Sequence, residues 1–124
     1  MHVPELIFGH LLTSSNYDDD MNKVTGGRNG YGAKLANIFS KHFSVECLDS
    51  KRKRKFFMEW ENNMTKRHEP VIKSTATKND YTQVSFTPDL KRFNMKSFDK
   101  DIIALFTKRV YDIAGCNPKL KVYL

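Results

Sequence analysis

Residues 25–34 read Thr-Gly-Gly-Arg-Asn-Gly-Tyr-Gly-Ala-Lys, and four of the chain's six glycines fall within seven residues of that stretch. It runs directly into Leu35-Ala36-Asn37-Ile38-Phe39, where the apolar residues recur at helical spacing. The pattern predicts a Gly-rich loop opening a helix. Glycine tolerates positive φ and carries no Cβ, so consecutive N–H groups can face one anion while the helix N-terminus adds partial positive charge. Arg28 and Lys34 bring full charges to the same place. A polyphosphate is the natural ligand, with Gly27, Arg28, Asn29, Gly30, Tyr31, Gly32, Ala33 and Lys34 as its expected cradle and Lys34 as a flexible point charge.

Two familiar phosphate motifs fail on inspection. Gly27 and Gly32 have the separation of a Walker A loop, but Ala33-Lys34-Leu35 follows, without the Lys-Ser/Thr pair whose hydroxyl binds magnesium. Gly30 and Gly32 begin a dinucleotide fingerprint, yet its third glycine position is Leu35. The plain alternative is a turn ahead of an ordinary helix. The two cations flanking the glycines favour phosphate.

A more specific signal lies in two blocks, residues 11–20 (LLTSSNYDDD) and 24–35 (VTGGRNGYGAKL), joined later by 81–90 (YTQVSFTPDL) and 99–115 (DKDIIALFTKRVYDIAG). Together they closely resemble the N-terminal ATPase domain of the eukaryotic (type IIA) DNA topoisomerase II family, a member of the GHKL superfamily. The resemblance covers nearly the whole chain. It implies an α+β fold, a two-layer sandwich of a mostly antiparallel sheet with helices on one face, in its Bergerat form. It implies that residues 1–124 are the C-terminal portion of such a domain, with Ser14, Ser15 and Asn16 lining the ATP site in a lid over residues 13–34. The implied function is ATP binding for an enzyme that couples ATP binding and hydrolysis to passage of one DNA duplex through a double-strand break in another. Its implied partners are ATP with Mg2+, duplex DNA and a second copy of the parent enzyme, in the nucleus. In this family the general-base carboxylate, the magnesium-binding Asn and the adenine-binding Asp lie upstream of the matched stretch, and a further lysine comes from the following transducer domain. The stretch alone is therefore expected to be half a site, with no catalytic residue and no metal ligand of its own.

The residues outside the loop add little chemistry. The formal net charge of +7 favours polyanionic partners. Much of it sits in Lys51-Arg52-Lys53-Arg54-Lys55, read as a solvated hairpin turn, although such runs also contact DNA backbone or serve in nuclear import. A basic nucleic-acid-binding module, or a non-catalytic remnant of the fold, is the alternative reading. Asp18, Asp19 and Asp20 are adjacent carboxylates that do not readily converge on one ion. Cys47 and Cys116 lack metal or redox spacing and are read as reduced thiols. No apolar run approaches the roughly 18 residues of a membrane span, so no membrane partner is expected.

Periodicity sets the remaining expectations. Apolar residues at 7, 8, 11 and 12 after Pro4 predict a helix over 1–12, and His10 receives no role. A second helix is expected over 35–42. Alternation in 43–47, 57–62 and 81–87 predicts antiparallel strands over 43–90 around the basic turn, with Asn63–Glu69 as loop. An apolar stripe of Ile103, Phe106, Val110 and Ile113 predicts a helix over 97–115, capped by Ser97 or Asp99 and stopped by Gly115 and Pro118. Residues 119–124 read as a strand that stops without a turn, as in a fragment.

Overall fold

A computed structural model describes residues 1–14, 27 and 29–124. It contains two compact units, Met1–Asp89 and Leu90–Leu124.

The first unit is built on a five-stranded antiparallel sheet. Strands β1 (Ser40–Asp49), β2 (Arg54–Glu61), β3 (Lys66–Arg67), β4 (Val71–Ser74) and β5 (Tyr81–Pro88) follow in chain order. In space the order is β3-β2-β1-β5, with β4 also paired to β2. Register follows from the apolar alternation. Phe43 faces Trp60 on one side and Phe86 on the other, Val45 faces Met58 and Val84, and Cys47 faces Phe56 and Thr82. A one-residue slip would turn this whole set to the opposite face. Phe43, Val45, Met58 and Trp60 are at most 1% exposed, and burial of each side chain contributes about 1.5–3 kcal/mol.

Two helices close this face, α1 (Val3–Gly9) and α2 (Tyr31–Ile38). Phe8 from α1 and Ala36 from α2 pack against the core. Gly9 lies so close to the indole that a Cβ there would stand 3.0 Å from Trp60 Cζ2. The two helices are tied by Asn37, buried in α2, which donates to Phe8 O at 3.2 Å. At the start of β1, Asn63 Nδ2 donates to Ile38 O (3.0 Å) and to Asp89 Oδ2 (3.1 Å), while Lys41 pairs with Asp89 at 3.0 Å.

The element boundaries differ from the sequence expectations in instructive ways. The first helix ends at Gly9, and Leu12 takes φ +57, a left-handed turn that a continuing helix excludes. The second helix begins at Tyr31, so Tyr31–Lys34 are helical and not loop, because Gly30 at φ +65 makes the turn four residues earlier than expected. Strand β1 accordingly starts at Ser40, and the expected loop 63–69 contains the short β3.

The second unit carries a 3-10 turn at Leu90–Phe93 and the helix α3 (Lys100–Cys116). Asp99 is the cap, its carboxylate accepting from Ile102 N at 2.9 Å. The helix runs through Gly115 to its C-cap Asn117. Residues 119–124 form no strand among the described residues, since no ladder partner pairs with them.

Candidate nucleotide site at the start of the second helix

The first turn of α2 is assembled from both ends of the segment that the sequence analysis singled out. At its entry, Thr13 Oγ1 donates to Leu6 O and His10 O, each at 3.3 Å, which anchors the chain to the end of α1. At its exit, Gly30 caps α2 in the left-handed conformation, without a side-chain hydrogen bond to the helix N–H groups. A Cβ on Gly30 would stand 2.9 Å from Thr13 O and 3.1 Å from Lys34 Nζ. Glycine is required here twice, for φ and for space.

Lys34 joins the two ends. Its side chain is 1% exposed, and its ammonium donates to Thr13 O at 3.5 Å. That is the outer limit of a hydrogen bond, and it is the ammonium's sole hydrogen bond among the described residues. Burial pushes the Lys34 amine below its ordinary value of 10.5, because the charged form loses solvation. Helix α2 begins early enough to carry Lys34 inward against Gly30 and Thr13.

The other expected site residues fall into three groups. Gly27 (φ +77), Asn29, Tyr31 and Gly32 are exposed, and a Cβ on Gly27 or Gly32 would meet nothing within 4 Å among the described residues. Ser14 and Ala33 are half-buried. Ser15, Asn16 and Arg28, like the Asp18–Asp20 run, lie outside the described residues. Gly32 is the informative member of the first group. It occupies a helical position where alanine would fit and would favour the helix, so packing does not account for it. Bare backbone at a helix N-terminus admits an anion closely.

Sequence reasoning missed Thr13 and Asn37, the residues that position Lys34 and join α2 to α1. A polar residue directly after the apolar stretch that ends at Leu12 was the available signal for Thr13. Two carboxylates elsewhere are engaged structurally. Glu5 is buried, pairs with Arg67 at 3.1 Å and accepts from His2 N, and Asp49 pairs with Arg52 at 2.6 Å. No group of three or more His, Cys, Asp or Glu side chains that could hold a metal occurs among the described residues. No helix among them is long and apolar enough to cross a membrane.

No family model matches the chain. Individual proteins and structures do. The chain is 59% identical over all 124 residues to a probable DNA topoisomerase 2 of Dictyostelium discoideum and 56% identical over the same length to DNA topoisomerase 2 of Saccharomyces cerevisiae. It spans only 8% and 9% of their lengths. Among solved structures, the ATPase and transducer domains of DNA topoisomerase II from Balamuthia mandrillaris match 100% of the chain with 33% of their own, at TM-score 0.91 and 52% identity. The ATPase region of Saccharomyces cerevisiae topoisomerase II bound to ICRF-187 matches 91% of the chain with 30% of its own, at TM-score 0.84 and 57% identity.

Proposed function

The chain belongs to the eukaryotic DNA topoisomerase II family as a stretch of its ATPase region, and from that premise we propose that residues 13–34 hold the triphosphate of ATP for the parent enzyme. The observation that carries the reading is the Lys34 ammonium, buried beside the glycine cap of α2, where it donates to Thr13 O at 3.5 Å. A buried cation gains from an anion, and the N–H groups at the start of the same helix favour that anion too.

The residues present fit the group. Gly30, Tyr31 and Gly32 offer backbone N–H donors, Lys34 offers charge, and Ser14, Ser15 and Asn16 offer the hydroxyls and amide that suit ribose and phosphate oxygens. Magnesium accompanies the triphosphate, with its protein ligand assigned to a segment upstream in the family. The chain's own contribution is to bind and orient. A phosphate that takes over Lys34 from Thr13 O also loosens the tie between the two ends of the lid, so bound and empty states differ in contacts at both ends. In the parent dimer that difference would bias closure of an ATP-operated gate coupled to duplex passage in the nucleus.

Calorimetric titration with a non-hydrolysable ATP analogue and magnesium tests the reading, with the Lys34→Ala variant alongside. Saturable binding by the chain that weakens at least about tenfold in the variant is expected, from the loss of one charge-assisted contact. Equal affinities would overturn it.

A further inference from the structure

The basic run at residues 51–55 takes no part in the nucleotide site, and the fold gives it a shape that the sequence does not show. The turn between β1 and β2 lies against residues 74–78, which follow β4. Thr75 N donates to Lys53 O at 3.1 Å, and Arg54 Nη1 donates to Ser74 Oγ at 2.5 Å. Between them runs an open groove of about 880 Å³, lined by Ser50–Arg54 and Ser74–Lys78. Lys78 thereby joins Lys51, Arg52, Lys53 and Arg54 from a separate stretch of chain. Two carboxylates border the groove and compensate part of this charge. Asp49 pairs with Arg52 at 2.6 Å, and Asp80 accepts from Ser50 N at 2.6 Å with Lys51 nearby. The side chains of Lys51, Lys53 and Lys78 hold no ion pair among the described residues.

We propose that this groove is a contact site for the phosphodiester backbone of duplex DNA, bound without regard to sequence. Cations converge on it from two segments, and Ser50, Ser74, Thr75 and Thr77 supply hydroxyls of the kind that meet phosphate oxygens. No aromatic side chain lines it, which removes the stacking platform that single strands require. The site is separate from the ATP site and does not depend on that assignment.

The test is fluorescence anisotropy of a labelled 20-base-pair duplex with the full chain across a salt series. The variant Lys51→Gln/Lys53→Gln/Lys78→Gln is compared with a charge-matched control, Lys96→Gln/Lys100→Gln/Lys121→Gln. The groove variant is expected to lose roughly tenfold or more in affinity and to flatten the logarithmic salt slope by about 2.7, from ~0.9 for each of three phosphate contacts, while the control keeps most of both. Equal losses in the two variants, or none in the groove variant, overturn the proposal. Retained duplex binding with lost capture by a nuclear-import receptor also overturns it, in favour of an import signal.

Discussion

Gly30 and Gly32 are two residues apart and answer to different demands. Gly30 sits at φ +65 with Thr13 O only 2.9 Å from the place of a Cβ, so Gly30→Ala strains the backbone and collides with a carbonyl. A loss of about 2–3 kcal/mol in unfolding free energy is expected. Gly32 is helical and open, so Gly32→Ala should gain about 0.5–1 kcal/mol of stability while weakening nucleotide binding, as its methyl enters the phosphate approach. Denaturant titration with calorimetry on the same samples checks both. A Gly32→Ala variant that is more stable and binds the nucleotide analogue unchanged would remove Gly32 from the site. The glycine cluster and its cations were legible in the sequence because they are local. The burial of Lys34 was not, since Thr13 lies 21 positions away and no spacing rule announces that contact.

The strands are legible where burial imposes a period, as in the alternation of Phe43, Val45 and Cys47 that predicts β1. The stripe of Ile103, Phe106 and Val110 predicts α3, although no residue of that helix is buried in this structure. Boundaries failed where capping or side-chain bonds decide them. Ser40-Lys41-His42 is polar and reads as a helix end, yet Ser40 is buried and joins β1, with Ser40 Oγ donating to Ala36 O at 2.5 Å. The turn Asn62-Asn63-Met64 is similarly hidden. All three residues take positive φ, and Asn63 bridges Ile38 O to Asp89 Oδ2, joining the end of α2 to the end of β5. Asn63→Ala removes both bonds and leaves a buried Asp89 oxygen with less support, at an expected cost of about 1–3 kcal/mol. Asn63→Gly, which relaxes the backbone but lacks the amide, separates the contributions by chemical denaturation. If Asn63→Ala and Asn63→Gly both match wild type, the hydrogen bonds contribute nothing.

At the scale of the molecule, the strand order was beyond the sequence, because β5 reaches β1 across β2, β3 and β4, and only three-dimensional register matches Phe43 to Phe86. That register also brings Tyr81 and Glu46 together on the polar face of the sheet, where Glu46 accepts from the Tyr81 hydroxyl and pairs with Lys55 at 2.8 Å. Lys55 and then Tyr81 hold Glu46 below its ordinary 4.5, Lys66 does the same for Glu61, and Arg52, the Ser50 N–H and Lys108 lower Asp49, Asp80 and Asp112. A carboxyl depressed in the folded state stabilises it fully above the unfolded value and ceases to do so as pH falls through the folded one. Lys34 has the same sign in an alkaline window: its amine is depressed in the fold, so the cost of burying its charge fades as pH climbs toward 10.5. The unfolding midpoint is therefore expected to hold steady down to about pH 5 and fall below about pH 4, with Glu46→Gln starting lower at neutral pH and descending less steeply. Urea titrations from pH 7 to pH 3 on the chain and on Glu46→Gln check this, and parallel acid limbs in the two proteins would mean that the Lys55–Glu46–Tyr81 cluster does not couple protonation to folding.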